Sequence, residues 1–105
     1  MIVVTTDTVE SKRTTQTFGL VRGNTIRARH IGRDIMAGLK NIVGGEIYEY
    51  TKLMGEAREQ ALDRMKSEAQ MLGANAIVGM RFTTSVIMGG AAELLAYGTA
   101  VIVED

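Results

Sequence analysis

The sequence predicts an α+β fold in which a small antiparallel sheet carries one long helix and one short helix. Three observations predict it. Apolar residues recur at helical steps across residues 46–72, β-branched or alternating runs lie on both sides of that segment, and glycines mark the places where one period gives way to the next.

The elements follow in order. Ile2, Val3, Val4, Thr5 and Thr6 are β-branched without interruption and meet Asp7, which predicts a short strand over residues 2–6 and a polar connection over residues 7–14. Residues 15–21 alternate in part and lead to Gly23-Asn24, a pair suited to positive φ. Thr25, Ile26, Arg27 and Ala28 then resume extended character. A bulged strand and a small hairpin fit this pattern equally well. From Asp34 the period changes: Ile35, Met36, Leu39, Ile42 and Val43 take helical spacing, Asp34 sits where a carboxylate favours the helix dipole, and Gly44-Gly45 ends a short helix over residues 34–43.

The long helix is the strongest local signal. Ile47, Tyr50, Met54, Ala57, Ala61, Leu62, Met65, Ala69 and Leu72 recur at steps of three and four, while Glu49, Lys52, Glu56, Glu59, Asp63 and Lys66 occupy the opposite face. Gly73 follows as a left-handed cap. Two β-type runs come next, residues 76–86 and 94–103, separated by Met88-Gly89-Gly90-Ala91 in a hairpin arrangement. In the second run Leu95, Tyr97, Thr99, Val101 and Val103 alternate with Leu94, Ala96, Gly98, Ala100 and Ile102, so neither face is polar and both need cover. One long helix covers one face. The second cover is expected to be another copy of the chain, with Gly79, Gly98, Tyr97 and Val101 as candidate interface residues. Gly79 and Gly98 qualify because a glycine inside a strand marks a bulge or the close approach of another backbone.

Composition narrows the chemistry. The 105 residues are 46% apolar and carry 12 basic against 12 acidic side chains, which suits one compact domain spanning residues 1–105. With no Cys there is no thiolate metal cage and no cysteine nucleophile, and a single His cannot build a multi-histidine site within one chain. A net charge of zero argues against bulk electrostatic binding to nucleic acid or to an anionic membrane. No targeting segment and no membrane-length apolar run is visible, so a soluble cytoplasmic protein is expected. Residues 1–40 hold seven Lys or Arg against three acids and residues 41–105 hold five against nine, a difference of +4 and −4 that would let one copy's basic edge meet the next copy's acidic helix.

One patch carries most of the candidate chemistry. Arg27, Arg29, His30 and Arg33 precede Asp34 at a predicted helix start, where free N–H groups and guanidinium forks suit a small anion or a nucleotide phosphate. The plainer reading is that these arginines form salt bridges to carboxylates of the long helix or of a neighbour. His30 and Asp34 are the candidate metal ligands, on condition that a symmetry axis gathers several copies and their carboxylates. No motif places Ser11, Ser67 or Ser85 beside His30, so no nucleophilic triad and no enzyme is expected. The seven Met residues read mainly as core filling, with Met36, Met54 and Met65 on apolar helix stripes.

Several runs resemble the YbjQ-like family of small bacterial proteins. They are Gly19-Leu20-Val21-Arg22-Gly23-Asn24, Ile31-Gly32-Arg33-Asp34-Ile35, Asn41-Ile42-Val43-Gly44-Gly45-Glu46, Leu72-Gly73-Ala74-Asn75-Ala76-Ile77-Val78-Gly79 and Tyr97-Gly98-Thr99-Ala100-Val101, together with the helix segment around Tyr50-Thr51-Lys52 and Ala57-Arg58-Glu59-Gln60-Ala61. The resemblance covers essentially the whole chain. It implies an α+β domain assembled as a homopentamer, in which extra short strands join neighbours. It also implies a family of uncharacterised proteins, some labelled as putative heavy-metal-binding, and it supplies no catalytic residue. The function expected from residues and resemblance together is an oligomeric binding or scaffold module. A metal-binding protein using His30 and carboxylates between subunits is the second expectation, and a small-anion or nucleotide site over residues 27–34 the third.

Overall fold

Extended, β-branched segments flank one amphipathic helix, and in the computed structural model, which describes residues 1–27, 48–87 and 91–105, they form four strands around it. In chain order the elements are β1 (Ile2–Val3), β2 (Arg13–Arg27), α1 (Tyr48–Leu72), β3 (Ala76–Ile87) and β4 (Ala91–Glu104). The sheet order is β1-β3-β4-β2, and β4 pairs antiparallel with both β3 and β2. The fold is α+β as expected. The sheet itself is mixed, because Ile2 and Val3 pair parallel with Ala76 and Ile77. Parallel pairing needs a long crossover, and the segment containing α1 supplies it.

Of the two readings open for residues 15–28, the bulged strand is the one found. β2 runs unbroken opposite β4, with register shifts between Thr14 and Gln16 and between Thr17 and Gly19. Gly19 takes φ +115°, the positive-φ conformation that such an irregularity asks of a glycine. Gly23-Asn24 is therefore not a turn. Gly23 serves as a close-approach point instead, since a Cβ there would collide with the Ala61 carbonyl oxygen and the Met65 amide nitrogen of α1. Thr25, 2% exposed, donates its hydroxyl to the Ala57 carbonyl at 3.4 Å, and the Arg64 guanidinium donates to the Asn24 carbonyl at 2.5 Å. The helix is thus laid along β2 by a missing side chain and two hydrogen bonds.

The face of α1 toward the sheet is narrow and mostly alanine. Ala57, Ala61, Met65 and Ala69 fall at steps of four and are buried, and the small side chains permit the close approach. Ala61, Met65 and Ala69 form the first core with Val21, Ala74, Ile77, Met80, Ala96 and Ala100, against which Val3, Phe18 and Leu62 pack. Gly73 ends the helix at φ +91° with the two hydrogen bonds of a Schellman motif, Gly73 N–H to Gln70 O at 3.0 Å and Ala74 N–H to Ala69 O at 3.1 Å. Asn75 then behaves like an added strand residue: its Nδ2 donates to the Val103 carbonyl at 2.9 Å and its Oδ1 accepts from the Val103 amide at 2.8 Å.

The far face of the sheet has a second core of Ala76, Val78, Val101 and Val103. Its cover comes in part from the chain itself, because Ile2, Val4 and Val9 pack on it. The second cover, expected from another copy of the chain, is thus supplied in part by the chain's own N-terminal residues. The physical reason lies in backbone bonds that fasten residues 2–6 along β3: Val4 N–H to Ile77 O at 2.9 Å, Met80 N–H to Val4 O at 3.0 Å and Gly79 N–H to Thr6 O at 2.8 Å. Beyond them the chain arches away as a strap over residues 7–12, ending at Ser11 with φ +65° and at a Lys12 Nζ to Asp105 Oδ1 ion pair of 2.6 Å. The predicted short helix over residues 34–43, with Gly44-Gly45 at its end, and residues 88–90 of the predicted hairpin connection lie outside the described residues.

Candidate functional site

The strap and the far face of the sheet border an open cavity of about 340 Å³, lined by Asp7, Thr14, Thr17, Val78, Gly79, Thr99 and Val101. Strand alternation sets this composition. Thr17 stands opposite Val101 and Thr14 opposite Val103, so both threonines share the face of the second core, and Thr99 follows two residues before Val101 on the same face. Val78 and Val101, 7% and 2% exposed, form the apolar floor. Gly79 lies at the register shift between Val78 and Arg81 with φ +61°. Nothing lies within 4 Å of where its Cβ would be, so this bulge leaves open space rather than filling it.

Asp7 comes from the strap and is the lining's one acidic residue, beside three threonines. None of the Asp7, Thr14, Thr17 and Thr99 side chains has a hydrogen-bond or ion-pair partner in the protein among the described residues. Asp105, at the other end of the strap, is held below the ordinary carboxylate range by the hydrogen bond from Lys12 and by its charge.

Further along the same face the lining gives way to a different surface. Arg22 and Arg81 flank Tyr97 in register on the neighbouring strands, and Arg81 donates to the Thr5 and Met80 carbonyls at 2.8 Å each. Leu20 stands opposite Thr99 and Ile26 opposite Glu93, and they are 64% and 56% exposed. On the helix side, Phe82 and Val86 of β3 are 42% and 87% exposed, because α1 lies mainly over β2 and β4.

The sequence-predicted residues divide accordingly. Arg27 closes β2 opposite Ala92, whereas Arg29, His30, Arg33 and Asp34 lie outside the described residues. Of the interface candidates, Gly79 occupies the bulge, and Gly98 is buried where a Cβ would come within 2.7 Å of Ile77 Cγ2. Val101 is buried in the second core and Tyr97 is half-buried. Sequence reasoning missed Asp7, Thr14, Thr17 and Thr99 as a group. Their only signal was threonine recurring on the strand face that later proves to carry Val101.

A soft metal does not fit the described donors. The chain has no Cys, and among the described residues no group of three or more His, Cys, Asp or Glu is placed to hold a metal ion. The cavity offers oxygen atoms alone, the donor class that suits hard cations. No described helix is long and apolar enough to cross a membrane.

An alanine-faced helix on a four-stranded mixed sheet, with a bulge glycine facing a strap, defines a class of small α+β proteins. A crystal structure of a protein of unknown function from Pediococcus pentosaceus, assigned to the DUF74 family, shares this fold with a TM-score of 0.65 at 15% identity, covering 99% of this chain and 98% of that one. The chain belongs to the YbjQ-like family, whose model matches residues 1–104 and is described as "Putative heavy-metal-binding". Among its relatives are proteins named UPF0145 from Archaeoglobus fulgidus, 60% identical over 96% of this chain and 94% of that one, and from Methanosarcina acetivorans, 56% identical over 96% and 95%. A third, from Dehalococcoides mccartyi, is 57% identical over 99% of this chain and 100% of its own length. The family therefore extends to archaea as well as bacteria.

Proposed function

We propose that this chain is a self-assembling binding or scaffold module without catalytic activity of its own, in which further copies cover the strand surfaces that one copy leaves bare. The observation that carries this reading is the set of large apolar side chains left open on the strands: Leu20, Ile26, Phe82 and Val86. Leu20 and Ile26 lie on one face of the sheet and Phe82 and Val86 on the other, so each face keeps a pair of large apolar side chains in the open, more than the single exposed apolar residue that is ordinary. β2 adds a second reason. Among the described residues it is an edge strand of 15 residues without a proline, the kind of edge whose N–H and C=O groups another strand can take up. Five copies is the number that the family resemblance implies.

Native mass spectrometry of wild type and Leu20→Glu tests the reading. Wild type is expected as a multimer and the variant as a folded species of lower mass. A wild-type monomer at every concentration would end the proposal. Val101→Asp is a poor probe of assembly, because Val101 is buried within one copy and its loss would unfold the chain first.

The family description reaches this chain by one route, namely His30 and Asp34 gathered from several copies together with other carboxylates. Zinc uptake that survives unchanged in His30→Ala would remove His30 from that route.

A further inference from the structure

We infer that the cavity beneath the strap is a binding site for a small hydroxylated amine of monosaccharide size, held by Asp7 at its ammonium group and by Thr14, Thr17 and Thr99 at its hydroxyls. The inference is independent of assembly, since every lining group comes from one chain.

Size sets the first limit. At about 340 Å³ the cavity sits at the lower end of the range for small-molecule sites, room enough for a single sugar ring but not for a dinucleotide or a flavin. The donor set gives the second. Three threonine hydroxyls both donate and accept, so they match hydroxyl groups, which do the same, whereas one carboxylate accepts and carries charge, so it matches an ammonium. The lining has no cationic side chain for an anion and no sulfur or imidazole for a soft metal. The apolar floor of Val78 and Val101 gives the third limit: it suits a ligand with a C–H face, as a sugar ring has.

The site is also built into the fold. The Gly79 bulge opens the space, and its N–H is spent on the Thr6 carbonyl at 2.8 Å, which fixes the strap one residue before Asp7. The Thr6 hydroxyl donates to the Thr8 carbonyl at 2.6 Å, closing a tight turn with Asp7 at its apex. The backbone that carries Asp7 to the cavity is therefore held by bonds on both sides of it. The four polar residues of the lining have no side-chain partner in the protein among the described residues, so a ligand would meet them unspent.

The test is a titration of the full chain with D-glucosamine, followed by amide NMR, with N-acetylglucosamine as the same ring without the charge. Saturable shifts are expected at Thr14, Thr17, Gly79 and Thr99, with affinity for the acetylated sugar roughly tenfold weaker, the worth of one charge-assisted hydrogen bond. Asp7→Asn should abolish that preference and Thr17→Val should weaken both sugars. Both sites are exposed, and unchanged melting temperatures would confirm that the variants fold. Absence of saturable shifts at these amides, or equal affinity for the two sugars in wild type, overturns the inference. Saturation of the same amides by calcium ions alone would overturn the ligand class.

Discussion

One end of the sheet is covered on both faces and the other is not. Around Ala76, Ile77 and Val78, α1 lies on one side and the N-terminal strap on the other, and all three residues are buried. Along the same strand, residues 81–86 are exposed throughout. The sequence does not change its β character between the two halves: Ala76-Ile77-Val78 and Thr83-Thr84-Ser85-Val86 both read as strand. What changes is the available cover. Burial in this protein is decided by where the helix and strap reach, and the proposed assembly assigns the bare half to contact with other copies.

The largest effect that would sharpen this contrast comes from Gly23→Val. The new side chain would drive into the α1 backbone, and a loss of about 3 kcal/mol or more is expected in chemical denaturation. Ile77→Ala, at a residue with no exposed surface, should cost about 3 kcal/mol by cavity formation. Asn75→Ala removes both hydrogen bonds to Val103 and leaves the Val103 amide and carbonyl without these partners, for an expected loss of about 2 kcal/mol. In the bare half, Val86→Ser should change the stability of a single copy by no more than about 0.5 kcal/mol. A core-sized loss there, in protein shown to be monomeric, would break the comparison.

The smallest effect concerns the strap's end. The Asp105 carboxyl is lowered in the folded chain by Lys12, so the pair's stabilisation is present above the ordinary carboxylate pKa of 3.8 and fades as pH falls through the lower folded value. Lys12→Ala should return Asp105 to the ordinary range, read by NMR titration. Because Asp105 is fully exposed, the melting temperature at neutral pH should barely move.

Much of the fold was legible because its signals are local. The period of three and four over α1, the Gly73 cap and the two C-terminal β runs follow from residue types at fixed spacing, and the structure carries each of them. The strap was not legible. Residues 7–12 have polar turn character, and nothing in them says that Val9 returns to the sheet, because that depends on backbone bonds to Ile77, Gly79 and Met80, some 70 residues away. Gly23 misled for a similar reason. Beside Asn24 it has the signature of a turn, and only the approach of α1 shows that the missing side chain, not a positive φ, is what the position requires. The cavity residues were hidden because threonine in a strand is ordinary. They become a group only when the bulges of β2 and β3 bring Thr14, Thr17 and Gly79 onto one face.

The most direct test of the central claim is amide hydrogen exchange along β2 and residues 81–87, in wild type and in Leu20→Glu. In wild type the outward-pointing edge amides of β2 should be protected, and the variant should lose this protection while residues 76–80 stay slow. Fast exchange of the β2 edge in wild type, with no change in the variant, would show that no second copy covers it and would contradict the account.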